Sequence, residues 1–261
     1  MRIVRFTPSP DAGLGQDPLF GVLEDDATIS IISGDPIYSG IQKTAAKIEL
    51  NKVRLLAPII PRSKVVCVGK NYADHAAEMG GVVPEEPIIF LKPNTSVIGP
   101  NDTIVWPDMS ERIDHEAELA IVIGRICKDV PLERVNDVIF GYTIANDVTA
   151  RDIQKKDGQW TRAKGFDTFC PIGPWIDTDF IPGTQKITAT IAGEVKQSAQ
   201  ISDMIFDVPT IVNFVSRVMT LLPGDIILTG TPAGIGPMMA GEKATMAIEG
   251  LGELTNKVSA K

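Results

Sequence analysis

Histidine and cysteine are both scarce in this chain. Its 261 residues include two histidines, His75 and His115, so a histidine-rich zinc site is not expected. The three cysteines, Cys67, Cys127 and Cys170, are widely spaced and odd in number, which does not fit a disulfide framework. We expect each thiol to be a small buried apolar group rather than a nucleophile.

Long apolar runs and an excess of positive charge are also missing. Runs such as Leu119–Ile123 are far shorter than a membrane-spanning helix. The first six residues are followed at once by Thr-Pro-Ser-Pro, which is unlike a signal peptide, so a cytoplasmic location is expected. The net charge of −8 argues against nucleic acid or an anionic membrane as a partner. Such a protein binds an acidic substrate only where a metal ion or clustered bases reverse the local field.

Short strands separated by glycine and proline dominate the predicted architecture. Strands at 2–6, 19–23 and 27–32 indicate a small β-rich N-terminal domain over residues 1–60, which ends at the prolines of 57–61. Residues 61–261 then form a larger domain whose predicted strands are Lys64–Val68, Ile88–Leu91, Leu119–Ile123, Ile139–Ile144, Ile187–Ile191, Asp225–Leu228 and Ala244–Ile248.

Helical periodicity is sustained in only one segment. Asp207 is a suitable N-cap for an apolar stripe that continues to Leu222 and stops at Pro223-Gly224. Shorter helices are predicted from Tyr72 to Met79 and from near Thr149 to Gly158. Because the strands do not alternate with long helices, an α+β, β-rich fold is favoured over a Rossmann fold or a TIM barrel.

Three carboxylates form the most informative pattern. Glu116 and Glu118 stand at the start of an apolar strand, and the period of two places both on one face. Two carboxylates on one face repel each other unless a cation lies between them. Asp147 follows the next predicted strand and completes a hard-oxygen set suited to Mg²⁺ or Mn²⁺. The alternative interpretations are a solvated strand face and, for Asp147, a helix cap.

These carboxylates stand in motifs that resemble the fumarylacetoacetate hydrolase family. The matching segments, in the family's order, are residues 69–75 (Gly-Lys-Asn-Tyr-Ala-Asp-His), 92–93, Glu116-x-Glu118, 146–152, 160–164 and 228–232. Residues 1–60 do not share the resemblance, and the chain is most similar to the compact acylpyruvase and oxaloacetate decarboxylase branch. The resemblance implies a mixed β-roll catalytic domain of the fumarylacetoacetase C-terminal type, a homodimer, and a divalent ion on Glu116, Glu118 and Asp147.

His75 and Glu78 are candidates for a general base. They lie three residues apart on a short predicted helix, so their side chains face the same way. A neighbouring carboxylate raises the basicity of an imidazole and fixes its tautomer. A surface histidine beside a glutamate is the alternative. In the family that the chain resembles, the matching pair lies on a lid that closes over the substrate, and Gly80-Gly81 is compatible with a hinge.

Four further side chains are candidates for contact with the substrate. Arg151 and Gln154 are three residues apart, and an arginine suits a distal carboxylate of the substrate. Lys164 offers a charge that would stabilise an enolate oxygen. Thr231 lies in a glycine-rich segment that could present its hydroxyl and backbone N–H groups to a carboxylate. In isolation these residues are typical of solvated surface charges and a hairpin turn; their positions in the matching motifs favour the functional interpretation.

The predicted function is divalent-metal-dependent cleavage of a carbon–carbon bond in a small 2-oxo acid through an enolate. Oxaloacetate decarboxylation to pyruvate and CO₂ is favoured, and hydrolysis of acylpyruvates shares the same intermediate. Isomerisation, hydration or hydrolysis of muconate-type 2-oxo acids is the alternative. A non-enzymatic metal-binding module is disfavoured, because a base, cations and a metal set occur together in one chain.

Overall fold

The computed structural model describes residues 1–260 of the chain. Its strands, in chain order, are β1 (Arg2–Pro8), β2 (Leu19–Leu23), β3 (Thr28–Ile32), β4 (Lys43–Glu49), β5 (Val53–Leu55), β6 (Val65–Gly69), β7 (Ile88–Lys92), β8 (Val97–Ile98), β9 (Thr103–Ile104), β10 (Ile113–His115), β11 (Ala117–Ile123), β12 (Ile139–Asn146), β13 (Thr149–Ala150), β14 (Cys170–Asp177), β15 (Lys186–Ile191), β16 (Glu194–Gln200), β17 (Ile226–Leu228), β18 (Gly236–Pro237), β19 (Lys243–Ile248) and β20 (Gly252–Val258).

The helices are short. They are α1 (Pro36–Ser39), α2 (Ala73–Glu78), α3 (Arg151–Asp157), α4 (Thr161–Lys164) and α5 (Val208–Val218), with 3-10 turns at Pro10–Ala12, Leu50–Lys52, Asn94–Ser96, Leu132–Asp137 and Ile201–Asp203. The predicted β-rich α+β class is therefore confirmed. None of the helices within residues 1–260 is both long and apolar enough to cross a membrane.

The largest sheet runs through both parts of the chain. Its strand order is β4-β3-β2-β1-β14-β12-β11-β17-β6-β7, with β5 added beside β1 and β8 beside β14. The junction is the antiparallel pair β1 and β14, in which Ile3 lies opposite Ile176. The N-terminal strands thus extend the sheet of the larger part, and the domain division at residue 60 stays a prediction.

Strand β11 lies at the centre of the core. All seven of its residues are buried, as expected for a continuous apolar run covered on both faces. Alternate side chains enter different apolar clusters: Leu119 and Ile121 pack on one side, Ala120 and Val122 on the other. A second sheet, ordered β16-β15-β19-β20-β9, contributes to the cluster around Leu119. Glu118 follows the alternation of Ala120 and Val122, so its side chain lies on the face of β11 opposite Leu119 and the second sheet.

Helix α5 differs in length from the prediction. Asp207 is its N-cap, with a side-chain oxygen that accepts a hydrogen bond from the N–H of Thr210 at 2.9 Å. The helix ends at Val218, five residues before Pro223, although the apolar stripe continues. The reason is tertiary pairing: Leu221 exchanges backbone hydrogen bonds with Cys127, so this stretch is extended.

Candidate metal centre and active site

Strand pairing brings the three predicted carboxylates together. Strands β11 and β12 are antiparallel, and the N–H of Asp147 donates to the carbonyl of Glu116 at 2.9 Å. One ligand atom from each of Glu116, Glu118 and Asp147 lies within 4.8 Å of the others, and all three side chains are buried. Such a group of hard oxygen atoms can hold an octahedral divalent ion and leave positions for other ligands.

The electrostatics of the group favour an additional cation. Burial raises the pKa of Glu118, and the neighbouring charges of Asp147 and Glu116 raise it further. Its carboxylate accepts one hydrogen bond, from the N–H of Gly230 at 2.6 Å. Burial also disfavours the charge of Glu116, but Lys164 and Arg151 outweigh it and hold the pKa of Glu116 below its usual value. Glu118 is thus the carboxylate that gains most from a bound cation.

Two buried lysines contact the carboxylates. The ammonium of Lys164 donates to Glu116 Oε2 at 2.7 Å and to Asp147 Oδ2 at 2.6 Å. Burial opposes its charge, yet Asp147 and Glu116 together raise the pKa of Lys164. Lys92, which the sequence analysis did not name as a site residue, donates to the other oxygen of Asp147 and to the carbonyl of Val148 at 3.2 Å. In the sequence, Lys92 is marked only by its position at the end of an apolar strand, in the segment 92–93 that matches the family motifs.

Arg151 lies in the site but already has protein partners. Its Nε donates to Asp114 Oδ2 at 2.9 Å, one terminal nitrogen donates to Gln154 Oε1 at 2.5 Å, and the other donates to Glu116. The guanidinium therefore bridges Asp114 and Glu116 and fixes the orientation of Glu116. Asp114 is a buried carboxylate that was not predicted from the sequence. The predicted contact of Arg151 with a substrate carboxylate stays a prediction.

The two residues predicted to form a general base, His75 and Glu78, contact each other on α2. His75 Nδ1 and Glu78 Oε2 are 3.1 Å apart, and the imidazole is almost fully buried. The second oxygen of Glu78 accepts a hydrogen bond from the N–H of Gly234 at 3.1 Å. This carboxylate thus orients the imidazole and also joins α2 to the glycine-rich segment that follows β17.

All nine predicted site residues except Glu78 line one cavity, together with Val68, Gly69, Lys70, Met79, Phe90 and Trp160. Its volume of about 30 Å³ is sufficient for a few water molecules and too small for a 2-oxo acid. The rings of Phe90 and Trp160 meet edge to face at 5.2 Å, and the ammonium of Lys164 lies 5.1 Å from the Phe90 ring centre. The Thr231 hydroxyl donates to the carbonyl of Ala117 at 2.9 Å.

Comparison with known families identifies the fold. The family described as "Fumarylacetoacetate (FAA) hydrolase C-terminal" matches residues 64–259. The chain belongs to the fumarylacetoacetate hydrolase family. Residues 1–58 match a separate family described as "Rv2993c-like, N-terminal". The family assignment and the β-roll fold expected from the resemblance are both confirmed.

Two enzymes of the fumarylacetoacetate hydrolase family are similar in sequence to most of this chain. The mitochondrial oxaloacetate tautomerase FAHD1 of Arabidopsis thaliana is 46% identical over 198 residues, which are 74% of this chain and 89% of that protein. The structure of a 2-hydroxyhepta-2,4-diene-1,7-dioate isomerase from Mycobacterium marinum is 50% identical, with a TM-score of 0.90 over 100% of this chain and 99% of that chain.

A third relative was solved with ligands. Fumarylpyruvate hydrolase from Pseudomonas aeruginosa, in complex with Mn²⁺ and pyruvate, is 34% identical, with a TM-score of 0.73 over 80% of this chain and 92% of that chain. The three named relatives are therefore enzymes whose names describe a tautomerase, an isomerase and a hydrolase.

Proposed function

We propose that this chain is a Mg²⁺- or Mn²⁺-dependent enzyme that interconverts the keto and enol forms of oxaloacetate. The observation that carries the proposal is the pairing of the His75–Glu78 base with three buried carboxylates around one cavity. The name of the Arabidopsis relative supports oxaloacetate as the substrate. Decarboxylation to pyruvate and CO₂, which the sequence favours, is the second candidate; the pyruvate bound to the Pseudomonas relative supports it.

The residues present fit a divalent ion. The ligands would be Glu116, Glu118 and Asp147. Their oxygens lie close together, and the charge of Glu118 is disfavoured by burial and by the two neighbouring carboxylates. When bound there, such an ion polarises the keto oxygen of a 2-oxo acid and stabilises the negative charge that develops on it.

His75 is the residue that transfers the proton to and from the substrate. Glu78 accepts the hydrogen bond of an Nδ1–H, so Nε2 carries the lone pair that can take a proton from C3 of the substrate. The imidazolium formed, which the fixed Glu78 carboxylate stabilises, then gives that proton to the enolate oxygen and so completes the enol. In the reverse direction the same nitrogen takes the proton from the enol oxygen and returns it to C3. In acylpyruvate hydrolysis the same pair would activate water instead.

The buried cations determine where negative charge can develop. Lys164 is held between Glu116 and Asp147, and its fixed ammonium favours an enolate oxygen placed beside it. Arg151 and Gln154 hydrogen-bond each other at the cavity wall, so a distal carboxylate of the substrate can replace that bond. The hydroxyl of Thr231 lines the same cavity and is a third candidate for substrate contact.

The test is a paired assay on oxaloacetate with purified protein and added Mn²⁺ or Mg²⁺. Loss of the enol absorbance reports tautomerisation, and pyruvate release reports decarboxylation, each compared with the metal ion alone and with EDTA. The Glu118→Gln variant should lose both activities, whereas Glu253→Gln, an exposed glutamate on β20, should keep them. If neither reaction exceeds the metal-only rate, oxaloacetate is excluded as the substrate, and acylpyruvates and then muconate-type dioates are tested next.

The homodimer and the cytoplasmic location are proposals carried over from the family resemblance and the composition. Light scattering on the purified protein measures the first directly. A single-chain mass at micromolar concentration would contradict it. Fractionation of cells that express the protein measures the second.

A further inference from the structure

Gln197 joins the second sheet to the active site. It lies on β16, is fully buried, and makes hydrogen bonds with both ends of its amide. Its Oε1 accepts from the N–H of Ala117 at 2.9 Å and lies 3.1 Å from His115 Nδ1. Its Nε2 donates to the hydroxyl of Thr231 and to the carbonyl of Pro232, each at 2.7 Å. The hydrogen-bonding capacity of the amide is thus fully used.

The partners allow only one orientation of this amide. The carbonyl of Pro232 can only accept a hydrogen bond and the N–H of Ala117 can only donate one, so nitrogen and oxygen cannot be exchanged. The oxygen of Gln197 then requires a proton on Nδ1 of His115. Nε2 of His115 is left as a buried lone pair without a hydrogen-bond partner among residues 1–260.

A β-bulge aims Gln197 inward. In a regular strand, Val195 and Gln197 would share a face, yet Val195 is 63% exposed and Gln197 is buried. The register explains the difference: Thr190 pairs with Val195 and Ala189 with Gln197, which leaves Lys196 as an extra residue. Bulges of this kind redirect a side chain and are frequent beside active sites.

The same bulge supports the glycine-rich segment. A Cβ on Gly234 would lie 2.1 Å from the carbonyl oxygen of Lys196, which is a steric clash. Gly234 also has a φ of +97°, a backbone conformation that favours glycine, so both the space and the backbone exclude a larger residue. The N–H of Gly234 is the group that holds Glu78. The bulge therefore fixes a segment that contacts the cavity at Thr231 and helix α2 at Gly234.

We infer that Gln197 is a positioning residue for the active site. Its oxygen fixes the main chain at Ala117, between Glu116 and Glu118, and so sets the spacing of the two carboxylates. Its nitrogen fixes Thr231. The inference rests on the proposed function for the roles of these carboxylates and of Thr231, but Mn²⁺ binding and histidine tautomers can be measured without any turnover.

The first experiment measures Mn²⁺ affinity by titration calorimetry in Gln197→Met, with Gln16→Met as the control. Gln16 is exposed and bonds only the carbonyl of Gly15, so the same substitution there should change nothing. Loss of a group that orients metal ligands weakens binding roughly 10- to 100-fold. Wild-type affinity in Gln197→Met, with or without a lower melting temperature, would overturn the role at the carboxylates.

The second experiment tests the path through Thr231. KM is measured for Gln197→Met, Thr231→Val and the double variant on the substrate identified by the paired assay. Because the two side chains share a hydrogen bond, their effects should not add. Effects that add would overturn this part of the inference while leaving the substrate assignment intact.

The third measurement needs no variant at Gln197 and so does not depend on its folding. Long-range ¹H–¹⁵N spectra of protein labelled at its two histidines should show His115 as the Nδ1–H tautomer, assigned by comparison with His75→Ala. An Nε2–H tautomer at His115 would mean that the Gln197 amide is reversed, which would overturn the inference at its base.

Discussion

Lys164 and Glu116 form a buried ion pair, with 2.7 Å between Nζ and Oε2 and side chains that are 3% and 5% exposed. The same ammonium contacts Asp147 at 2.6 Å. A cation therefore already bridges two of the three proposed metal ligands from within the protein. The divalent ion that we propose would complete the neutralisation of a site in which only Glu118 lacks a cationic partner at ion-pair distance among residues 1–260.

Replacement of Lys164 by methionine should destabilise the protein. Its removal leaves Glu116 with Arg151 alone and Asp147 with Lys92 alone as cationic partners. Loss of one partner of a buried ion pair costs roughly 3–5 kcal/mol in comparable cases, and the remaining cations should keep the loss at or below that range. Urea unfolding in EDTA measures the loss, and Lys156→Met, an exposed lysine on α3, is the control. A free energy of unfolding equal to that of the control variant would show that the pair contributes nothing to the fold.

Removal of divalent ions should lower the melting temperature of the wild-type protein. A ligand that binds only the folded state stabilises it by about 2.7 kcal/mol at 100 times its dissociation constant. The shift between Mn²⁺ and EDTA should vanish in Glu118→Gln and persist in Glu253→Gln. Equal shifts in both variants would place the ion elsewhere in the protein.

Substitution of His75 by alanine should separate decarboxylation from the two reactions that need a base. Keto–enol exchange and acylpyruvate hydrolysis need a base, so we expect each to fall by ~10²–10⁴, whereas decarboxylation, which needs no proton from C3, should fall much less. Asp74→Ala, an exposed carboxylate on the same helix, is the control. Titration with Mn²⁺ should give the wild-type affinity in both variants. A parallel loss of all three activities would assign His75 to substrate binding instead.

The buried thiols should be unreactive in the folded protein. Burial raises the pKa of Cys67, and it raises the pKa of Cys170 to about 12. Alkylation by iodoacetamide at pH 8 should therefore modify at most the half-buried Cys127, and mass spectrometry of the peptides locates the label. In urea all three should react. Rapid labelling of Cys170 without urea would contradict the packing of β14.

The raised thiol pKa values also predict the direction of a pH effect. A group whose folded pKa exceeds its unfolded value of 9.0 contributes stability that is fully present below pH 9. For Cys170 this contribution is lost as the pH rises from 9 towards about 12. The free energy of unfolding, measured by urea titration across this range, should decrease with pH.

The sequence alone predicted ten of the twenty strands within residues 1–260, together with the separate pieces of the site. Short continuous apolar runs such as Leu119–Ile123 favour buried strands, because most helices are longer than these runs. The period of a strand placed Glu116 beside Glu118, and that of a helix placed His75 beside Glu78. These are local relationships, so sequence spacing is sufficient to predict them. Strand β14 escaped prediction because Pro171, Gly173 and Pro174 interrupt it, as prolines seldom occur inside a sheet.

Only the tertiary structure decided which charges and amides meet. Lys92 pairs with Asp147 across 55 positions, and Gln197 reaches Ala117 across 80. Neither contact has a local period, and Gln197 faces inward only because a bulge shifts its strand by one residue. A buried polar group must find its partner wherever the fold brings one, since leaving it unpaired costs about 1–3 kcal/mol. Spacing along the chain therefore made the carboxylates candidates, the family motifs favoured them as a metal set, and packing between the sheets supplied the groups that hold them in place.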